Sequence, residues 1–241
     1  KFIMAYTTIK KPSDYFNTVT YTGNGNAGHS ITGVGFQPDW TWVKNRSDTY
    51  GHNLVNSVTN TLMFSNANAP EEAIGNTVTS FDSDGFTVGT NAGVNANGQN
   101  LVSWNWLGSN TTAANTDGSI NSTVSANTTN GFSIVKYTGT GSGQSNVTIG
   151  HGLGAVPKVI LFKQLDTGSW IVYHHTIGKD KYLVLDTTAA EANATGICNP
   201  TSTNIVLETS YGGTNSTAGM IAYCFSEKQG YSKFSSYTGN G

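Results

Sequence analysis

An internal repeat constrains this chain more than any other feature of its sequence. The motif Tyr-Thr-Gly-x-Gly occurs at residues 21–25, 137–141 and 237–241. An offset of 119 residues also places the apolar pattern of residues 40–44 on that of residues 159–163. Self-similarity at a fixed period is the signature of a repeated structural unit. The sequence therefore predicts an internal duplication, followed by the opening motif of a third copy.

The same offset sets the expected domain boundaries, because it also places residues 86–88 on 205–207 and residues 101–106 on 220–225. The stretch between the copies is mostly Ser, Thr, Asn and Gly, which bury too little surface to offset chain entropy. We expect an N-terminal arm (1–15), a first repeat (16–108), a polar linker or exposed loop (109–131), a second repeat (132–227) and the start of a third repeat (228–241). We expect the natural chain to continue into that third copy.

Short segments rich in β-branched and aromatic residues, bounded by turn residues, are typical of strands. Residues 41–44, 132–137, 158–163 and 205–208 have this character, and Asp84-Gly85 is a hairpin signal. Strands at this spacing with few helical periods between them favour a β-sandwich. The predicted fold is all-β, with two tandem β-sandwich domains in which Trp42 and Leu161 occupy equivalent buried positions.

Composition and charge exclude several classes of function. The net charge is −2 and no basic run occurs, whereas nucleic-acid binding needs a concentrated Lys/Arg footprint. No apolar run approaches the length of a membrane span, so membrane insertion is not expected. The cysteines, Cys198 and Cys224, are interpreted as buried thiols, with pairing left open.

Two carboxylates form a weak candidate for a Ca²⁺ site. Asp82 and Asp84 precede Gly85, as in some calcium loops, but the motif is far short of a complete one. The matching segment of the second repeat, residues 202–204, has no carboxylate. A turn is therefore the favoured interpretation, and no cofactor is expected unless Ca²⁺ binds at this position.

The pair His174-His175 suggests a ligand or metal site. Adjacent residues on a strand point to opposite faces, so both rings do not easily bind one metal. Their first-repeat counterparts, Asn56 and Ser57, are not catalytic bases. His174 therefore remains only a weak candidate for ligand binding.

Tryptophan rings are the remaining candidates, since they form stacking platforms for sugars. The four tryptophans within residues 40–42 and 104–106 align with apolar residues of the second copy, which predicts a core role for them. Trp170 aligns with His52 and is therefore the freest to serve recognition. We predict that Trp170 stacks on a ligand in a shallow polar site on loops of the second repeat.

At this point the sequence resembles a known family. Residues 36–45 (FQPDWTWVKN), 80–89 (SFDSDGFTVG) and 131–141 (GFSIVKYTGTG) are similar to a repeat found in virion proteins of marine tailed bacteriophages. The resemblance covers nearly the whole chain from about Tyr15. It implies a lectin-like, jelly-roll β-sandwich on the particle surface and offers no catalytic residues to transfer. The family often has a cysteine between two tryptophans, where this sequence has Asn105, and Cys224 in the second copy.

The expected function is a non-enzymatic structural or adhesive component of the virion surface, such as a tail fibre or a capsid-surface fibre. Its expected partners are other virion proteins, further copies of itself in a homo-oligomer, and host-surface glycans. Two alternatives remain open. One is a carbohydrate-binding module, which exposed aromatics beside Asn and Asp would favour. The other is a polysaccharide-degrading tail enzyme, which needs two carboxylates roughly 5–10 Å apart.

Overall fold

The computed structural model of the chain describes residues 6–141 and 144–240, and strands dominate these ranges. A 3-10 turn covers Pro12–Asp14 and an α-helical turn, α1, covers Ala92–Asn95. The strands are β1 Phe16–Thr22, β2 His29–Ile31, β3 Trp40–Asn45, β4 Asn53–Asn56, β5 Thr61–Phe64, β6 Glu72–Ala73, β7 Val78–Asp82, β8 Gly85–Val88, β9 Asn100–Trp106, β10 Ala113–Asn115, β11 Ser122–Asn127, β12 Phe132–Tyr137, β13 Val147–Gly150, β14 Val159–Gln164, β15 Ile171–His174, β16 Lys181–Val184, β17 Ala192–Asn193, β18 Asn204–Leu207 and β19 Met220–Phe225. The predicted all-β fold, with sheets arranged in a sandwich-like manner, is confirmed.

Two large sheets and two small sheets organise these strands. The first large sheet has the order β1-β9-β3-β4-β5-β6, and the second has β10-β11-β12-β19-β14-β15-β16-β17. The small sheets are β2-β8-β7 and β13-β18. The pairings between strands are antiparallel. From β12 to β17, the second large sheet therefore follows the strand order of the first. The counterpart of the edge strand β1 is β12, which is covered on its other side by β11.

The sheets stack in four layers, with an apolar core between each pair of neighbouring layers. Side chains such as Val43 and Phe86 fill the space between the first large sheet and its small sheet. Ile160 and Ile205 do the same between the second large sheet and β13-β18. We call each large sheet with its small sheet a unit, the first and the second. A third core lies between the two large sheets, where Trp40 stacks on Tyr223 with ring centroids 4.1 Å apart. Both faces of each large sheet are therefore covered over part of their area.

The motif Tyr-Thr-Gly-x-Gly closes one end of the first unit. The Tyr21 hydroxyl donates a hydrogen bond to the Val94 carbonyl at 2.7 Å. The buried Asn95 side chain accepts a hydrogen bond from the Asn24 backbone N–H at 2.9 Å. Gly23 is required between them because a Cβ at that position would collide with the backbone that follows Asn95. We refer to this arrangement as the tyrosine clasp.

The second unit contains an equivalent clasp. The Tyr137 hydroxyl donates to the Thr214 carbonyl, and the buried Asn215 side chain accepts from the Thr140 backbone N–H at 2.9 Å. A Cβ at Gly139 would collide with Asn215. The repeated motif therefore has a structural task, which is to fasten the end of the unit's first strand to the loop before its last strand.

The predicted polar linker or exposed loop at residues 109–131 is wrong over β11. This strand pairs along its whole length with β12, and Val124 packs into the core of the second unit. Ser125 is also buried, and its hydroxyl donates to the Asp39 carboxylate of the first unit at 3.1 Å. Composition did not predict this strand because its Ser and Thr residues are stabilised by backbone hydrogen bonds to β12. A strand that joins an existing core needs few apolar side chains of its own.

The segment expected to begin a third repeat packs against both ends of the chain's fold: Phe234 contacts Phe225 of the second unit, and Tyr231 contacts Tyr15 before the first. An isolated bridge joins Lys228 and Ser232, and Tyr237 is 93% exposed. The last residue of the third motif, Gly241, and residues 1–5 of the predicted N-terminal arm lie outside the described residues. Within the part of the chain that the structure describes, no helix has the length and apolar character needed to span a membrane.

Candidate functional site

Trp170 does not form the surface platform that the sequence predicts. Its side chain is fully buried in the core between the large sheets, and its indole Nε1 donates to the Phe64 carbonyl at 2.8 Å. Its backbone N–H donates to Asp186 Oδ1 at 2.8 Å. The prediction of a stacking residue is therefore wrong: the apolar face of the second sheet is covered by the first unit, and Trp170 helps to join the two.

His174 lies at the rim of an apolar cleft of about 440 Å³ at one end of the seam between the units. We name this the aromatic cleft, and its walls include Phe16, Trp106, Phe225 and Phe234. The His174 ring stacks beside His175 at 5.3 Å, but the two rings have different partners. His174 Nδ1 bonds to the Thr176 hydroxyl, whereas His175 Nε2 bonds to the Phe234 carbonyl.

Burial lowers the pKa of His174 from its ordinary value, and the neighbouring His175 lowers it further. The neutral ring is therefore favoured at the rim of a cleft whose lining is mostly aromatic. This placement keeps His174 as a candidate contact for a ligand in the cleft, and among the described residues the two histidines are not part of a group of three or more metal-binding side chains.

Asp82 and Asp84 hold loops in place through their carboxylate oxygens. Asp82 accepts from the Ser80 and Thr87 hydroxyls at 2.9 and 2.7 Å. Asp84 accepts from the backbone N–H groups of Gly33 and Gly35 at 3.1 and 2.7 Å.

These N–H groups lower the pKa of Asp84. They are donors, whereas a calcium loop surrounds its ion with oxygen acceptors. The geometry therefore favours the turn interpretation, and the described residues contain no cluster of three or more His, Cys, Asp or Glu suited to a metal.

A second opening lies between the two units and is lined by polar side chains around one tryptophan. This groove has a volume of about 330 Å³. Its walls are Trp42, His52, Ser65 and Asn66 from the first unit, and Leu185, Asp186, Thr187 and Thr188 from the second. We name it the tryptophan groove. Trp42 was predicted to be buried together with Leu161, but both side chains are only partly buried.

His52 orients the tryptophan of this groove. Trp42 Nε1 donates to His52 Nδ1 at 2.8 Å, so the neutral imidazole carries its proton on Nε2. Burial lowers the pKa of His52, and the charge of Lys44 lowers it further. The neutral tautomer is therefore favoured, with Nε2–H as a donor that the Trp42 contact leaves unused.

Two further side chains have one polar atom engaged and another left for a ligand. Asn66 Oδ1 accepts from the His52 backbone N–H at 2.9 Å, which directs its NH₂ group away from that contact. Asp186 Oδ1 accepts from the Trp170 backbone N–H, which leaves Oδ2. The groove thus combines an aromatic surface with an imidazole N–H, an amide and a carboxylate oxygen.

The chain matches a protein family over residues 11–241, and the description of that family is "Domain of unknown function (DUF7483)". The chain belongs to this family. Neither the curated proteins nor the solved structures include a match to it. The family description assigns no activity, so the functional argument rests on the site itself.

A wider depression of about 630 Å³ continues from the tryptophan groove, with which it shares His52 and Asn66. Its other lining residues lie at the end of β3 and in the β3–β4 turn, and they include Lys44, Arg46 and Tyr50. We name it the arginine depression. Together the two depressions form one continuous surface that begins between the units and ends on the first unit.

Sequence reasoning missed this surface because its residues are far apart in the chain. Trp42 and His52 belong to the first unit, whereas Asp186 comes from the second. The alignment of Trp42 with the apolar Leu161 also indicated a core position. The available signal was the cluster of Lys, Arg, Asp, Tyr and His within residues 44–52 of a chain that has few charges.

Proposed function

We propose that this chain is a non-catalytic structural and adhesive component of a bacteriophage particle surface, as a tail fibre or capsid-surface fibre. In this proposal, the tryptophan groove contacts host glycans. The observation that carries the glycan contact is the partly exposed Trp42 ring, oriented by His52 and flanked by the free polar atoms of Asn66 and Asp186.

The chemistry of the groove suits a sugar. An aromatic face packs against the C–H face of a pyranose ring, while hydroxyls need both donors and acceptors around the rim. His52 Nε2 and the Asn66 amide supply donors, and Asp186 Oδ2 supplies an acceptor. The Thr187 and Thr188 hydroxyls supply both at the second-unit wall.

The use of the carboxylates supports binding rather than catalysis. Asp39 is fully buried and accepts four hydrogen bonds, from the Ser57 and Ser125 hydroxyls and from the N–H groups of Gly108 and Asn110. Asp82 and Asp84 are engaged in a similar way. Carboxylate oxygens that already accept hydrogen bonds from the protein stabilise loops and are not directed at a substrate.

We infer that the two units arose by duplication and that each has a lectin-like, jelly-roll sandwich fold. The shared strand order and the two tyrosine clasps support this. Lys44 and Lys163 supply a further parallel, since the ammonium group of each donates to carbonyls of the turn that follows its strand. Two lysines with the same unusual task at the same offset are a strong mark of common descent.

The placement on a virion rests on the sequence resemblance and on the composition. Charged residues make up only 11% of the chain, against about 25% in typical soluble domains. Neutral hydroxyl and amide groups keep their hydration whatever the salt concentration, which suits a particle exposed to seawater. Further copies of the chain and other virion proteins are the proposed structural partners.

Substitution of Trp42 tests the glycan contact. Trp42→Leu introduces an apolar residue of the kind found at the equivalent Leu161, so packing is largely kept while the platform is lost. Burial of roughly 60 Å² of ring at about 25 cal/mol/Å² gives about 1.5 kcal/mol, or close to tenfold in affinity. We expect that loss in calorimetric titrations with a panel of neutral and acidic oligosaccharides.

Trp106→Leu is the matched control. Trp106 lies in the same sheet as Trp42 and lines the aromatic cleft instead of the groove, so Trp106→Leu should leave the affinity unchanged. Equal losses in both variants, or no binding of any oligosaccharide by the native chain, would exclude the groove. Release of reducing ends that Asp186→Asn abolishes would replace the binding role with a catalytic one.

The virion location has a separate test. Mass spectrometry of purified phage particles should detect the chain at a stoichiometry typical of structural proteins, and labelling with an antibody should place it on tails or capsids. Absence of the chain from particles of a phage that encodes it would contradict this part of the proposal and leave the glycan contact to be judged alone.

A further inference from the structure

In the arginine depression, Arg46 lies on the β3–β4 turn, and hydrogen bonds from the Lys44 side chain hold this turn in place. Lys44 Nζ donates to the carbonyls of Asn45, Asp48 and Tyr50 at 2.6, 3.0 and 2.9 Å. These bonds span the whole β3–β4 turn and hold its backbone in one conformation. Arg46 is anchored as well, because its backbone N–H donates to the Asn100 carbonyl at 2.8 Å. Its exposed side chain therefore projects from a rigid base.

Arg46 is the single arginine of the sequence. The ion pairs among the described residues join Lys11 to Asp14, Lys179 to Asp180 and Glu208, and Lys181 to Glu191, so none of them involves Arg46. The aligned residue of the second unit is Leu165, which is buried between the units. The same aligned position therefore carries a charge in the first unit, where the turn is exposed to solvent, and an apolar side chain in the second unit, where it is buried.

We propose that Arg46 binds the carboxylate of an acidic sugar, in a second subsite of the glycan that occupies the tryptophan groove. A guanidinium group pairs with a carboxylate through two parallel hydrogen bonds, which favours an acidic sugar over its neutral form. The exposed ring of Tyr50 supplies an apolar contact beside it. This inference rests on the proposed function and narrows the ligand to glycans that contain uronic or other carboxylated sugars.

The other charges along the surface set the direction of the ligand. The lining of the arginine depression carries two positive charges, on Lys44 and Arg46, against one negative charge, on Asp48. Asp186 lies in the tryptophan groove and repels a carboxylate there. The acidic sugar therefore belongs at the Arg46 end, while a neutral sugar belongs at the Trp42 end.

The test compares uronic-acid tetrasaccharides (galacturonate, glucuronate and mannuronate) with the same tetrasaccharides after reduction of their carboxyl groups to alcohols. We expect at least one acidic form to bind the native chain about tenfold more tightly than its reduced form at low salt, with a smaller ratio in 0.5 M NaCl. Arg46→Gln should abolish this preference and leave the affinity for the reduced form unchanged. Arg46→Lys should restore only part of it.

Lys181→Gln serves as the matched control, since it removes one positive charge from the second unit at a residue paired with Glu191. Equal binding of acidic and reduced sugars, or a preference that survives Arg46→Gln, would overturn the acidic subsite while glycan binding in the groove stands. Failure of every tetrasaccharide to bind would overturn the subsite and the proposed glycan contact together.

Discussion

Removal of the buried Asp39 carboxylate should lower the free energy of unfolding, because this one side chain accepts hydrogen bonds from several parts of the chain. Asp39 Oδ1 accepts from the Ser57 and Ser125 hydroxyls at 2.6 and 3.1 Å, and Oδ2 accepts from the backbone N–H groups of Gly108 and Asn110 at 2.8 and 3.0 Å. These donors come from the first unit, from β11 and from the segment between them. Asp39 therefore acts as a common acceptor for three parts of the chain.

The expected magnitude follows from what each donor does after the substitution. In Asp39→Ala the two hydroxyls can rotate toward other acceptors, but the backbone N–H groups cannot. The buried Gly108 N–H costs about 1–3 kcal/mol when it is left unpaired, and the loss of the other bonds to a charged acceptor adds to this, so the free energy of unfolding should fall by roughly 3–5 kcal/mol. In Asp39→Asn the amide oxygen can face the N–H groups while its NH₂ faces the hydroxyls, which can accept, so the loss should be about half as large.

Urea denaturation followed by circular dichroism measures both values, and Ser57→Ala serves as a control that removes one donor and should cost about 1 kcal/mol. Hydrogen exchange should also accelerate in β11 of the Asp39→Ala variant, because Ser125 loses its acceptor. If Asp39→Ala unfolds within 1 kcal/mol of the native chain, or if Asp39→Asn costs as much as Asp39→Ala, the geometric argument is wrong.

Three further predictions concern pH, the clasps and the seam. Burial and the charge of Lys44 lower the pKa of His52 below 6.5, so the unfolded chain takes up this proton before the folded chain does, and the stability of the fold should decrease as the pH falls below 6.5. Glycan affinity should decrease over the same pH range, and His52→Gln should remove this pH dependence. An unchanged pH profile in the His52→Gln variant would contradict the role of His52. Tyr21→Phe and Tyr137→Phe should each lower the free energy of unfolding by about 1–2 kcal/mol in urea titrations, since each leaves a carbonyl without its donor, and a loss confined to one of them would show that the clasps are not equivalent. Trp170→Ala should cost about 3–5 kcal/mol through the cavity it leaves, while the folded fraction still binds glycans; loss of binding at full stability would instead return Trp170 to the ligand contacts.

Much of the strand arrangement could be predicted from the repeat. Residues 40–44 and 159–163 align at the offset that relates β3 to β14, and the same offset relates β8 to β18. Trp40, Trp42 and Lys44 alternate with Thr41 and Val43, which is the period of two expected for the two faces of a strand. These features are local, because alternation and turn residues determine where a strand begins and which side chains share a face.

The sequence by itself could not decide which apolar face would be covered. Trp40 and Val43 point to opposite faces of β3, yet both are fully buried, because the second unit packs on one face and the small sheet on the other. Trp170 was therefore predicted at the surface, although the first unit encloses it. Strand β11 was not predicted for a related reason. Its residues are mostly polar, and the backbone hydrogen bonds to the neighbouring strand that stabilise it cannot be read from composition.

What the sequence determined, then, was the all-β class, the repeated motif that begins at Tyr21 and at Tyr137, and the positions of individual strands, all of which depend on neighbours in the chain. The tertiary structure alone decided the candidate site. Trp42 and Asp186 meet only because two large sheets stack with part of their facing surfaces left uncovered. Long-range packing of this kind depends on the shapes of both faces at once, and no local pattern of residues contains that information.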